Sequence, residues 1–122
     1  MSDPRIGIGK QGEDAAAAYL IGKGYRIVAR NVRQKLGEID IVCTDGSGYV
    51  FVEVKTRRGT QFGDPLEAVT VHKRRRICRA ALNFLNRNSL HETAVRFDVI
   101  GIMLTGRKAE ITHIIDAFEA PF

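Results

Sequence analysis

The segment from residue 38 to residue 57 constrains the fold of this chain more than any other. Residues 38–44 (EIDIVCT) and 49–57 (YVFVEVKTR) are rich in β-branched and aromatic residues that alternate with polar ones, a pattern typical of strands. The segment between them, DGSG, is a strong turn signal. The pattern therefore predicts a β-hairpin, and a two-residue turn at Gly46 and Ser47 sets its register.

In that register Asp40 lies directly across from Glu53, with Cβ atoms about 4.5–5.5 Å apart. A four-residue loop keeps this pairing, whereas a three-residue loop would put the two side chains on opposite faces. Two carboxylates this close repel each other unless a cation lies between them or one takes a proton. Lys55 follows Glu53 by two residues and projects from the same face. The pattern is compatible with a site for a hard divalent ion such as Mg²⁺ (or Mn²⁺), with an ammonium group beside it. The alternative from the spacing alone is a set of charges on a solvated strand face.

The elements around this hairpin predict one α/β domain over residues 1–122. Helical patterns cover residues 10–23, which end before Gly24, and residues 70–88, for which Thr70 is the expected N-cap. The other expected features are strands at 25–32, 95–104 and 110–118, a polar loop at 58–64 and a turn at 105–108. The order α-β-β-β-α-β-β predicts a mixed β-sheet flanked by helices.

Two further acidic residues are placed where they can face the same site. Glu13, Ala17 and Leu20 share one face of the first helix, so Glu13 is either directed at the site or a partner of the helix N-terminus. Glu38 precedes Asp40 by two residues on the same strand face. It is either an additional metal ligand or a solvated side chain.

The net charge of +5 is concentrated in one part of the chain, residues 55–79, here called the basic stretch. It carries eight basic and two acidic residues, a net charge of +6, whereas the rest of the chain carries −1. It is a candidate for binding nucleic-acid phosphates, and a solvated helix face is the equally open alternative. Four consecutive charges wrap most of a helix, and some stems must cover the core. Apart from Lys55, the candidate phosphate-binding residues are Arg57, Arg58, Lys73, Arg74, Arg75, Arg76 and Arg79.

Other classes of protein are disfavoured. No apolar run approaches the roughly 20 residues of a membrane span, and no secretory signal is visible, so we expect a cytoplasmic protein. Cys43 and Cys78 are too few for a disulfide scaffold and follow apolar positions, which predicts that both are buried. The three histidines, His72, His91 and His113, show no metal-pair spacing and are interpreted as surface or hydrogen-bonded residues.

The two hairpin strands, GEIDIV (37–42) and VFVEVKTR (50–57), resemble the PD-(D/E)xK nuclease motif, with Ile39 where the motif name has proline. Over nearly its full length the chain resembles the bacterial YraN-like family. The other segments that carry this resemblance are Gly12-Glu13 with the alanine-rich helix, EAVT (67–70) and RFDVI (96–100).

The resemblance implies a restriction-endonuclease-like fold, similar to archaeal Holliday-junction resolvases. It implies that Asp40, Glu53 and the Val54 carbonyl bind the metal, that Lys55 is the catalytic lysine and that Glu13 is a helix-borne acid. The leading expectation is a Mg²⁺-dependent endonuclease that acts on DNA, with branched or structured DNA as a candidate substrate. Nucleases that cut both strands often act as dimers, so a homodimer is one candidate oligomeric state. The alternatives are a catalytically silent nucleic-acid-binding domain of the same fold and a domain whose basic face binds an acidic protein.

Overall fold

The computed structural model of the chain describes residues 4–58, 63–90 and 92–120. These residues form two long helices, one short 3₁₀-helix and five strands in the predicted order. The elements are α1 (Pro4–Gly22), β1 (Arg26–Gln34), β2 (Gly37–Thr44), β3 (Tyr49–Arg58), the 3₁₀-helix (Pro65–Ala68), α2 (Val71–Arg87), β4 (Val95–Thr105) and β5 (Lys108–Phe118). Within the described ranges, neither helix is long and apolar enough to cross a membrane.

The five strands form one mixed, open sheet in the order β1-β2-β3-β4-β5. Neighbouring strands are antiparallel except β3 and β4, which run parallel. A parallel pair needs a long crossover connection, and the segment that contains α2 supplies it. The predicted fold class, a mixed sheet flanked by helices, is confirmed. The hairpin strand β3 is the central strand of the sheet.

The hairpin adopts the predicted register. The pairs Thr44↔Tyr49 and Ile41↔Val52 align β2 with β3, and the next position along this register places Asp40 across from Glu53. Asp45 stabilises the turn, since its Oδ1 accepts hydrogen bonds from the backbone N–H groups of Ser47 (2.8 Å) and Gly48 (3.0 Å). Gly46 has a φ of 93°, which glycine adopts without strain.

Helix α2 begins as predicted and α1 does not. The Thr70 hydroxyl caps α2 by accepting a hydrogen bond of 3.2 Å from the backbone N–H of Lys73. Helix α1 starts at Pro4 rather than residue 10, so the expected start was wrong. Proline fits the first turn of a helix because its missing N–H has no partner there. Glycines at positions 7 and 9 lower helix propensity but do not prevent a helix.

The segment after β3 also differs from the expected polar loop at 58–64. Residues 59–62 of that loop lie outside the described residues. The 3₁₀-helix after it was not predicted. Asp64 caps this helix through an Oδ1 that accepts from the backbone N–H of Leu66 at 2.9 Å.

A separate apolar cluster fills each side of the sheet. One packs against α2 and includes Val42, Phe51 and Cys78; the other packs against α1 and includes Val52 and Cys43. Both cysteines are buried and free, as predicted. Because β3 is covered on both faces, its sequence is almost continuously apolar until Glu53.

Candidate active site

The centre of the candidate site is the carboxylate pair, Asp40 on β2 and Glu53 on β3. The hairpin register places the two side chains directly across from each other. The Oδ2 atom of Asp40 also accepts a hydrogen bond of 2.8 Å from the backbone N–H of Val54. The Glu53 side chain is only 15% exposed. Two largely buried acids therefore share one small region at the centre of the sheet.

The surroundings of the two acids raise both pKa values and so favour retention of a proton. Burial, together with the charge of Asp40, raises the pKa of Glu53 to about 8. Burial also raises the pKa of Asp40, although the hydrogen bonds from Val54 and Glu53 oppose that shift. The pair consequently retains a proton at neutral pH. A divalent cation can replace that proton and neutralise both carboxylates.

Lys55 and Lys73 stand beside the carboxylate pair. The Nζ atom of Lys55 lies 3.6 Å from Oε1 of Glu53. Lys73, in the first turn of α2, reaches the same cavity. The neighbouring Lys55 amine, followed by desolvation, lowers the pKa of Lys73. Two amines from different elements therefore line the cavity that contains the two acids.

Glu13 reaches this cavity from α1. The helix approaches β3 closely at Gly12, where any Cβ atom would collide with the Thr56 side chain. Burial, followed by the charge of Asp40, raises the pKa of Glu13. Its Oε1 atom is buried and has no hydrogen-bond partner among the described residues. The structure thus brings this acid, singled out by helical spacing alone, next to the carboxylate pair.

An open cavity of about 750 Å³ contains these groups. Arg57 and Arg58, from the end of β3, line it as well. A smaller neighbouring depression of about 320 Å³ is lined by both acids of the pair and by Glu38, Lys73 and Arg76. Part of the basic stretch therefore lies on the same surface as the carboxylate pair.

The other arginines of α2 point elsewhere. Arg74 packs on the protein itself: its Nε donates a hydrogen bond of 2.9 Å to the Val69 carbonyl, and its guanidinium lies 5.5 Å from the centre of the Phe118 ring. Arg75 and Arg79 are exposed and do not line the cavity. The sequence pattern treated these arginines and Lys73 as one group. The helix geometry separates them.

The donor set suits a hard cation that keeps part of its water shell. No three His, Cys, Asp or Glu side chains converge on a common ligand position within the described residues. Mg²⁺ is usually held by one or two carboxylates with several waters. The Asp40 and Glu53 carboxylates meet that requirement, and the unpartnered Glu13 oxygen is available to a bound water.

Sequence reasoning missed one other polar cluster. Asp98 on β4 is fully buried and contacts Arg96 and His113. The interpretation of His113 as a hydrogen-bonded residue is confirmed by its contacts with Asp98 and Tyr19, and His72 is exposed as expected. His91 lies outside the described residues. No sequence signal could join Asp98 to His113, because only the β4–β5 pairing brings them together.

A known protein family matches this chain over most of its length. The model described as "Uncharacterised protein family UPF0102" matches residues 12–102, which include Glu13, the carboxylate pair and both lysines. A UPF0102 protein of Rhodococcus opacus is 47% identical over 93% of this chain and 97% of that protein. Those of Pelobacter propionicus and Trichlorobacter lovleyi are 49% and 46% identical, over 93% and 98% of this chain and 84% and 99% of those proteins. The chain therefore belongs to the UPF0102 family, the YraN-like family that its motifs resemble.

Proposed function

We propose that this protein is a Mg²⁺-dependent endonuclease that hydrolyses phosphodiester bonds in DNA. The observation that carries the proposal is the geometry of the carboxylate pair. The hairpin register sets the two acids across from each other, and the Lys55 Nζ lies 3.6 Å from Oε1 of Glu53 in a cavity lined by further cations. Acids in a cleft whose pKa values are shifted by burial and by a neighbouring charge are typical of functional sites. The nuclease motif that the hairpin resembles supports the same assignment.

The metal ligands in this proposal are Asp40, Glu53 and the Val54 carbonyl, and Mn²⁺ is expected to substitute for Mg²⁺. Such an ion lowers the pKa of a bound water and stabilises negative charge on phosphorus. Asp40 is held in place by the backbone N–H of Val54, and the hairpin register holds Glu53 opposite it. The pair is thus preorganised by backbone pairing rather than by flexible side chains.

The remaining residues have distinct roles in the proposal. Lys55 orients the attacking water or offsets the charge that develops on the phosphate. Glu13 accepts a hydrogen bond from a water in the cavity, since its buried oxygen has no other partner among the described residues. Arg57, Arg58 and Arg76 bind the phosphates on either side of the scissile one, which accounts for their position around the acids. Glu38 lies close enough to serve as an additional acid.

The test is cleavage of linear, nicked and four-way DNA in the presence of Mg²⁺ or Mn²⁺. Wild-type protein should cut at least one of these substrates, and chelation of the metal should stop the reaction. Asp40→Asn and Lys55→Met should lose activity by a factor of 10² or more. Glu92→Gln changes an exposed acid outside the cavity and is the matched control. Absence of cleavage by the wild type, or full activity of Asp40→Asn, would falsify the proposal.

A second candidate is a catalytically silent nucleic-acid-binding domain. It is favoured by one observation: no three His, Cys, Asp or Glu side chains converge within the described ranges, while basic residues line both depressions. This function predicts DNA binding that weakens steeply with salt and does not change with metal. Titration of a DNA duplex with and without Mg²⁺, at two salt concentrations, separates it from the endonuclease.

A further inference from the structure

A second cavity, here called the sheet pocket, lies on the sheet beside the candidate active site. It has a volume of about 190 Å³ and is formed over the C-terminal parts of β3 and β4 and the first half of β5. Its floor consists of two rows of paired residues: Lys55, Gly101 and Thr112 in one row, and Arg57, Met103 and Glu110 in the next. The rows are two residues apart on every strand, so all six positions face the same side of the sheet.

The shape of the sheet pocket depends on Gly101. A Cβ atom at this buried position would collide with the ring of Pro65, the first residue of the 3₁₀-helix. The glycine therefore lets the 3₁₀-helix pack directly on β4, and the Pro65 ring becomes an apolar wall of the pocket. Because its floor is paired sheet, the pocket is preformed rather than made by flexible side chains.

The lining of the sheet pocket suits a flat ring better than a phosphate. Pro65 and Met103 supply apolar surface, and the carboxylate of Glu110 repels an anion. Pockets for drug-sized ligands have volumes of about 300–1,000 Å³, so a cavity of about 190 Å³ has room for only one small ring system. Glu110 and Thr112 are exposed, so their polar atoms are available to such a ring.

We propose that the sheet pocket binds one unpaired nucleobase, either adenine or cytosine. Each of these bases carries an amino group next to a ring nitrogen that accepts hydrogen bonds. The amino group donates to the Glu110 carboxylate, and the Thr112 hydroxyl donates to the ring nitrogen. Uracil and thymine carry carbonyl oxygens on both sides of a ring N–H, so one of these oxygens faces the carboxylate. Pro65 and Met103 pack on the ring, as apolar side chains do in pockets for flipped bases.

The sheet pocket is also close to the carboxylate pair. Lys55 and Arg57 line both this pocket and the cavity that contains the two acids. Lys55 follows Glu53 by two residues on β3, which separates their Cα atoms by about 6.6 Å. One nucleotide spans such a distance between its phosphate and its base.

Within the proposed function, the bound base belongs to a nucleotide next to the scissile phosphate. A base in the pocket cannot be paired, and the cost of unpairing is least where the strand is already single or mismatched. The substrate class is therefore DNA with unpaired bases near the cut, as in branched or structured DNA. This identification of the substrate rests on the proposed function, whereas the base pocket does not.

The experiment measures binding of the full chain to two single-stranded oligonucleotides of equal length, oligodeoxycytidine and oligodeoxyuridine, by fluorescence anisotropy. The two probes carry the same phosphates and differ only at the edge of the ring, and a chelating buffer prevents metal-dependent cleavage. Wild-type protein should bind oligodeoxycytidine about fivefold more tightly. Thr112→Val and Glu110→Leu should each reduce this ratio to less than twofold. Thr105→Val and Glu119→Leu make the same changes at exposed positions outside the pocket and should keep the wild-type ratio.

Three results would overturn the base pocket. They are equal affinity of the wild type for the two probes, binding of neither probe, and a preference that Thr112→Val and Glu110→Leu leave unchanged. The outcomes also separate this inference from the proposed function. A cytosine preference that both variants lose, in a protein that cuts no DNA, supports the pocket and contradicts the nuclease. Metal-dependent cleavage by a protein without that preference does the reverse.

Discussion

Asp98 and the partly buried carboxylate pair lie on the same sheet, but their hydrogen-bond surroundings are opposite. Asp98 is fully buried, yet Arg96 Nε and Nη2, His113 Nε2 and the backbone N–H of Asp116 all lie within 3.0 Å of its oxygens. Burial alone would raise the pKa of Asp98, but the hydrogen bonds from His113, Arg96 and Asp116 outweigh it and lower the pKa.

The carboxylate pair lacks such a set of donors within the described part of the chain. Asp40 accepts one backbone hydrogen bond from Val54, and the nearest cation to Glu53 is 3.6 Å away. The pKa values of both acids are raised as a result. This sheet can supply full partners to a buried carboxylate, as it does for Asp98. The difference indicates that Asp98 stabilises the fold. In the carboxylate pair, by contrast, the two acids repel each other, and a bound cation would reduce that repulsion.

The largest expected effect is on Asp98. Asp98→Asn removes the anion that Arg96 and His113 contact and leaves their donors without a charged partner. We expect a loss of about 3–5 kcal/mol in the free energy of unfolding, measured by urea denaturation. Glu92→Gln, at an exposed position, should change stability by less than about 0.5 kcal/mol. If Asp98→Asn lost as little stability as this control, Asp98 could not be called a stabilising residue in contrast to the carboxylate pair.

At the carboxylate pair we expect a substitution to increase the free energy of unfolding rather than to lower it. Glu53→Gln keeps the shape of the side chain and removes its repulsion with Asp40. In the absence of metal at pH 8, we expect the variant to be more stable than the wild type by about 1–3 kcal/mol. Denaturation of both proteins in a chelating buffer checks this. A clear destabilisation would mean that ionised Glu53 contributes to folding rather than to ligand binding.

The two regions should also respond to pH in different directions. The raised pKa of Glu53, about 8 against 4.5, means that the folded protein binds more protons there than the unfolded chain. Stability from this group therefore falls as pH rises from about 4.5 to 8, and Glu53→Gln should abolish that slope. The lowered pKa of Asp98 stabilises the folded state at pH values above the ordinary aspartate pKa of 3.8. That stability is lost as pH falls through the folded-state pKa. Denaturation curves at intervals from pH 3 to pH 9 test both directions. If the stability of the wild type relative to Glu53→Gln rose between pH 4.5 and pH 8, the raised pKa of Glu53 would be contradicted.

The smallest expected effect compares two neighbouring arginines of α2. Arg74 donates a hydrogen bond to Val69 and stacks on Phe118, so Arg74→Met should cost about 1 kcal/mol of stability. Arg75 is exposed, and Arg75→Met should change stability by less than about 0.5 kcal/mol. Thermal unfolding in parallel measures the difference. Equal stability of the two variants would mean that the contacts of Arg74 contribute nothing.

The parts of this molecule that local chemistry determines could be predicted. The DGSG turn sets the hairpin register, and the register alone places Asp40 opposite Glu53. Helical spacing singled out Glu13, but its contact with the site depends on how closely α1 approaches β3 at Gly12. The position of Lys73 depends on how α2 packs across the sheet, which no short motif encodes.

The proposed nuclease activity requires a metal site at the carboxylate pair, and calorimetric titration with Mn²⁺ tests this most directly. Wild-type protein at pH 7 should bind Mn²⁺ at the pair and release a proton as it does so, because the pair retains one in the metal-free state. Buffers of different ionisation enthalpy detect that proton. Asp40→Asn and Glu53→Gln should each lose this binding. A metal site at the carboxylate pair would be contradicted if the wild-type protein bound no Mn²⁺, or if the variants bound Mn²⁺ as tightly as the wild type does.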